Sequence, residues 1–264
     1  MKVAVAQFAA GANKAANLER ISALVTQAGR AGARLVILPE GAMHTFGELT
    51  DDLSPFAEAL DGPFVDRLRQ LAVRLDLTLV AGMFETIPKD PRIFNTAVVV
   101  DKATGLVAAH RKRHLYDAFG EQESDRFRAG DEDVPLVDID GFSVAVAICY
   151  ELRFPAFIQQ AADRGADLLA VPAAWVAGPL KEEHWTVMVR ARAIENTMYV
   201  AGAGMTGIGY CGRSMIVDPL GVVQAALGEA EGTTVAEVTK ERLAQVRARL
   251  PLVAQRRAGS PVKA

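Results

Sequence analysis

One pattern constrains this chain more than any other. Short runs that are apolar on both faces, VAVAQF (3–8), LVIL (35–38), VAVAIC (144–149) and LLAVPAAW (168–175), recur with amphipathic segments between them. A strand that is apolar on both faces must be covered on both sides, so these runs predict sheets sandwiched between helices. Strands are predicted over 3–8, 35–38, 77–84, 95–101, 142–149, 168–174 and 199–203, with GLVAAH (105–110) strand-like. Helices are predicted over 17–31, 64–75, 156–163, 182–197 and 240–250. In the last third, 212–217, the turn DPLG and 222–227 read as an antiparallel hairpin, and 233–238 as a further strand. The sheet is therefore mixed and the fold class is α/β.

Length and composition bound the rest. With 264 residues, half of them hydrophobic, one domain over 1–250 is expected, followed by a loose tail over 251–264 that is partly disordered. A net charge of −3 argues against a nucleic-acid partner, whose basic footprint would show in the count. No segment offers the ~20 apolar residues of a membrane span. MKVAVAQF reads as a first strand and not as a signal peptide. Two cysteines cannot build a disulfide framework, and a reduced, cytoplasmic protein is expected.

Cys149 stands where an apolar strand gives way to CYELRFP, with Pro155 suited to the first turn of the next helix. A thiol held at a strand–turn–helix junction, facing the N–H groups that follow it, is a candidate nucleophile. Taken alone, Cys149 is more simply a buried core residue. Glu40 ends ARLVILPEG, where a carboxylate against an apolar sheet needs a partner or a task, or else turns to solvent. Lys112 lies in HRKRHLYD, and basic clusters are usually solvated faces. As a set, however, a carboxylate base, an ammonium and a thiol supply every role of nucleophilic catalysis without a histidine. No His/Cys spacing suggests a metal site.

LPEG around Glu40, RKRHLYD around Lys112 and CYELRFP around Cys149 occur in the order and context of the nitrilase, or carbon–nitrogen hydrolase, superfamily, and the resemblance spans nearly the whole chain. It implies a four-layer α-β-β-α sandwich that commonly dimerises, without metal or cofactor. It also implies Glu40 as base, Lys112 as the supporting cation and Cys149 as nucleophile. ESDRFRAGD resembles the loop bearing a second glutamate, which falls on Glu123 with Glu121 two residues away. HWTVMVRARAIENTMYV and GRSMIVDPLG look most like the amidase branch, which includes deaminated glutathione amidases and ω-amidases. The sequence departs from the family pattern at His110, Glu151 and Ala156, which flank the three motifs.

The resemblance implies hydrolysis of a small linear amide to acid and ammonia through a thioester. Lys112 and the backbone N–H of Tyr150 would hold the oxyanion. The deaminated glutathione amidase-like reading leads; the alternatives are an ω-amidase on 2-oxo acid amides, an N-carbamoyl amide hydrolase, an acyl transferase or a catalytically silent interaction protein. Arg153 is a candidate for a substrate carboxylate or, equally, for a salt bridge to Glu151 or Asp163. His184, Trp185 and Trp175 are candidates for the pocket wall. Arg190 and Arg192 read as surface or interface groups, and Glu195 and Asn196 as either site-facing or helix-end residues. Cys211 reads as inert, and GAGMTGIGYCG as a loop over the pocket mouth and not a dinucleotide cradle.

Overall fold

The computed structural model describes residues 1–259. Its first sheet contains β1 (Lys2–Gln7), β2 (Leu35–Ile37), β3 (Thr78–Thr86), β4 (Ile93–Asp101), β5 (Gly105–Arg111) and β12 (Gly232–Glu237), in the order β12-β1-β2-β3-β4-β5. Its second contains β6 (Leu136–Ile139), β7 (Phe142–Val146), β8 (Leu168–Ala173), β9 (Tyr199–Gly204), β10 (Met215–Val217) and β11 (Val223–Ala226), in the order β11-β10-β9-β8-β7-β6. Each sheet has a parallel centre, β1-β2-β3 or β7-β8-β9, and antiparallel flanks.

The period of two along the central strands explains the layering. Val3, Val5, Leu35, Ile37, Val80 and Val99 share a core with Val144, Val146, Leu168, Ala201 and Ile216, which is where the two sheets meet. The alternate residues Ala4, Ala6, Val36, Leu79, Ala81 and Val98 pack on Ile21 and Val25 of α1 (Lys14–Arg30) and Phe64 and Leu68 of α2 (Pro63–Leu75). The second sheet is covered by α3 (Pro155–Asp163) and α4 (Lys181–Asn196) through Phe157, Ile158, Trp185 and Val189. Each such large side chain contributes about 1.5–3 kcal/mol of hydrophobic stabilisation. The expected α-β-β-α layering is what results. The chain closes with α5 (Lys240–Arg249) and α6 (Leu252–Arg257).

Several local expectations are corrected. The strand expected over 142–149 ends at Val146, and Cys149 opens a 3-10 turn, Cys149–Arg153. β6 was not anticipated: LVDI is short and carries an aspartate, and it is a strand because β7 pairs with it. The tail expected to be loose is helical over Leu252–Arg257, where Arg256 reaches Asp163 at 2.8 Å; residues 260–264 lie outside the described residues.

Candidate active site

The parallel strands deliver the chemistry at their carboxyl ends, where open α/β sheets collect ligands. Glu40 lies three residues beyond β2, Cys149 three beyond β7, and Ala174 directly after β8. β5 runs in the same direction as β2, because two antiparallel pairings separate it from β3, and it brings Lys112 to the same edge. Gly82 of β3 makes the approach of Glu40 feasible: a Cβ there would stand 1.6 Å from the Glu40 carbonyl oxygen.

Lys112 and Glu40 are each 2% exposed. The Lys112 Nζ donates to Glu40 Oε1 at 2.8 Å and contacts Glu123 Oε2 at 2.8 Å. Asn95 of β4 donates from the same Nδ2 to Glu40 Oε1 and Glu123 Oε1, both at 2.8 Å. Glu40 Oε2 accepts from the Ala174 N–H at 2.7 Å, and Glu123 Oε2 from the Tyr116 N–H at 2.6 Å. Burial alone would lower the Lys112 ammonium, but Glu123 and Glu40 outweigh it and hold it well above the ordinary lysine value. Lys112 is therefore a fixed cation between two carboxylates.

Cys149 has φ +45°, a left-handed conformation that costs a non-glycine residue about 1–3 kcal/mol. Such strain persists only where the surroundings impose it, and Glu151 does so. Its carboxylate accepts from the N–H groups of Ile148 and Arg113, each at 2.7 Å, and from His110 Nε2 at 2.8 Å. One buried carboxylate thus ties the turn bearing Cys149 to the chain leaving β5 just beyond Lys112. Burial of the thiol, then the charge and hydrogen bonding of Glu40, raise Cys149 well above its usual range, and Lys112 opposes them. At rest the sulfur is a thiol beside a base. Glu40, Lys112, Glu123 and Cys149 all line one cavity of about 570 Å³.

Residues 2–248 match the family of carbon-nitrogen hydrolases. The chain belongs to that family. It is 40% identical over 262 residues to the deaminated glutathione amidase of Escherichia coli O157:H7, with 99% of each chain covered. A CN-hydrolase superfamily protein of Xanthomonas campestris, solved with an arsenic adduct in its active site, superposes with a TM-score of 0.87 at 28% identity, covering 100% of this chain and 98% of that one. A mutant of the amidase from Nesterenkonia sp. AN1, solved with acrylamide added to its active-site cysteine, gives a TM-score of 0.81 at 26% identity, covering 95% and 98%. The protein is an amidase-type carbon-nitrogen hydrolase.

The hydrolase brings some other predicted residues into its cavity and leaves others out. Arg153 lines the cavity and makes neither alternative salt bridge: Glu151 pairs with His110 and Asp163 with Arg256. Its guanidinium lies 4.9 Å from the Trp175 ring and 5.8 Å from that of Tyr150, and both aromatic residues also line the cavity. His184 does not line it; Arg153 Nη2 lies 3.3 Å from its Nδ1, so His184 stands behind the arginine. Trp185 is a core residue whose indole donates to the Arg213 carbonyl. Arg192, expected at the surface, is buried and donates to the Leu152 carbonyl, whereas Arg190 is exposed. Glu195 pairs with Arg192, and Asn196 bonds back to its own helix, so neither reaches the site. Cys211 is buried, which pushes its thiol up to about 12. Ile208, Gly209 and Tyr210 of the glycine-rich loop line the cavity.

Among the residues of the site that were missed are Asn95, Lys181 and Tyr116. Asn95 had a signal, as a lone amide in the apolar run FNTAVVV that must find buried partners. Lys181 shares a helix face with Trp185 and Val189, four and eight residues on, which marked it for burial. Tyr116 had no such signal.

Proposed function

We propose that Cys149 is the nucleophile of an amide hydrolysis in which Glu40 is the general base and acid. Glu40 takes the thiol proton as sulfur attacks the amide carbon. The tetrahedral oxyanion is held by the Lys112 ammonium and the Tyr150 backbone N–H, a kind of donor whose loss typically costs about 10²–10³ in rate. The C–N bond then breaks, Glu40 protonates the departing nitrogen, and an acyl thioester remains on Cys149. Water, deprotonated by Glu40, adds to the thioester and releases the acid and the thiol. Glu123, not Glu121, is assigned the task of holding Lys112, since its contact with Nζ supports that choice. The observation that carries this reading is the buried Glu40–Lys112–Glu123 array beside a strained cysteine on one cavity wall.

The substrate class follows the resemblance to deaminated glutathione amidases, with Arg153 receiving a carboxylate on the acyl half. The whole hydrolase unit is assigned to residues 1–250. A cytoplasmic location is proposed because the thiol needs a reducing compartment; no helix among the described residues is long and apolar enough to cross a membrane. A homodimer is proposed because Val187 and Ile194 of α4 lie exposed near Leu220 and Val222 of the β10–β11 turn, whose Gly221 touches Ile194.

Intact-mass analysis during turnover of a panel of amides tests the mechanism. An acyl adduct on Cys149 that accumulates, and is absent in Cys149→Ala, is the expected result. Amine release by Cys149→Ala at the wild-type rate would overturn it.

A further inference from the structure

The Glu151 carboxylate that restrains the Cys149 turn is itself held by one side chain, that of His110. Both side chains are fully buried. His110 Nε2 stands 2.8 Å from Glu151 Oε2, the same oxygen that accepts from the Ile148 N–H, one residue before the nucleophile. An ionised carboxylate only accepts, so Nε2 carries the proton of that bond. The other ring nitrogen, Nδ1, is buried and has no partner among the described residues. An unpaired buried nitrogen is costly to keep, so packing alone does not explain a histidine here. Phe157, whose ring lies 6.0 Å away, would pack as well against an apolar side chain. The other nearby cationic groups do not replace it: His114 Nδ1 stays 4.0 Å from Glu151 Oε1, and the Arg113 guanidinium turns away to Asp133.

His110 and Lys112 are two residues apart on the line of β5, so their side chains leave on the same side. β4 fixes that line, because His110 pairs with Ala97 and the Lys112 N–H donates to the Asn95 carbonyl at 2.8 Å. One short segment therefore carries both the ammonium that faces Glu40 and the imidazole that grips the turn of Cys149. We propose that His110 is a positioning residue of the hydrolysis: through Glu151 it holds the Cys149 turn in register with Lys112 and Glu40. His110 does not line the cavity, so it acts on the turn and not on the substrate. This rests on the reading of Cys149 as the nucleophile of an amide hydrolysis.

The test uses the geometry of amides. Glutamine sets its side-chain nitrogen near the Nε2 position of a histidine, whereas asparagine stops near Nδ1, short of Glu151. Rates are measured per alkylatable Cys149, at a temperature where urea unfolding shows each variant folded. His110→Asn is expected to lower kcat roughly 10- to 100-fold with KM little changed, because the reacting groups lose register while the cavity wall stays. His110→Gln is expected to recover most of that loss. In a Glu151→Gln background, His110→Asn is expected to add less than about 3-fold, since residues acting as one unit are not additive. His110→Leu, which packs against Phe157 without a donor, repeats both comparisons if His110→Asn does not fold. Wild-type kcat in His110→Asn, a loss carried by KM, equal loss in His110→Gln, or a full loss in the Glu151→Gln background each overturns the proposal. Wild type releasing no amine from any amide would instead overturn the catalytic reading.

Discussion

Glu40 opposes the acidity of the thiol it is proposed to deprotonate, and that separates charge from catalysis at the scale of a residue. Its charge and hydrogen bond raise Cys149, whereas Lys112 lowers it. Glu40→Gln is therefore expected to shift the pH midpoint of iodoacetamide alkylation of Cys149 downward while turnover falls about 10²–10⁴-fold, the usual worth of a positioned base. A shift upward would contradict the assignment. Gly82 offers a purely steric test. A methyl group there meets the backbone of Glu40 at 1.6–2.5 Å, and backbone cannot swing aside as a side-chain tip can. Gly82→Ala is expected to lose at least about 10²-fold in kcat/KM with its far-ultraviolet circular dichroism retained, because misplacement by an ångström is enough. Glu40, Lys112, Cys149 and Glu123 were legible as residues, since their motifs stand in order along the chain. That Lys112 is buried was not legible, because RKR reads as solvated until its neighbours Arg111 and Arg113 turn outward to Glu85 and Asp133.

Between elements, the Glu151 clamp joins the turn after β7 to the chain after β5, so it couples the two sheets at the site. The sequence marked His110 and Glu151 as separate departures from the family pattern; the fold places them in contact at 2.8 Å, both fully buried. Burial works against the Glu151 carboxylate, but His110 and the two backbone donors win and hold it below the usual value. A depressed folded-state pKa contributes stability that is complete above the unfolded value, about 4.3, and is lost as pH falls through the folded one. Glu151→Gln is expected to destabilise by about 1–3 kcal/mol at pH 7, since it strands a buried donor. The gap between the variant and wild type is expected to narrow below about pH 4.3. Urea unfolding at pH 7 and pH 4 checks both statements; a gap that widens in acid would refute the clamp. Element type was largely readable in the two-sided apolar runs, but where each strand stops was not. Cys149 leaves the strand because Glu151 caps the turn, a contact no periodicity encodes.

For the whole molecule, the exposed patch on α4 and the β10–β11 turn carries the dimer prediction. Ile194→Asp places a charge beside Gly221 and is expected to yield monomers, read as a halved mass by light scattering, with the fold retained. An unchanged mass would exclude this face. The amino-acid sequence by itself determined the layering and marked the residues that the fold gathers on one cavity wall. Two-sided apolar strands admit only covered sheets, and three motifs in order along the chain resemble those of the family. Tertiary structure alone decided who meets whom. Lys112 and Glu40, 72 residues apart, share a hydrogen bond, Arg153 pairs with no acid among the described residues, and Lys181 lines the cavity while His184 and Trp185 do not. The physical reason is that strand order and helix phase set long-range proximity, and a buried charge shows its role only when its partners, or their absence, can be counted.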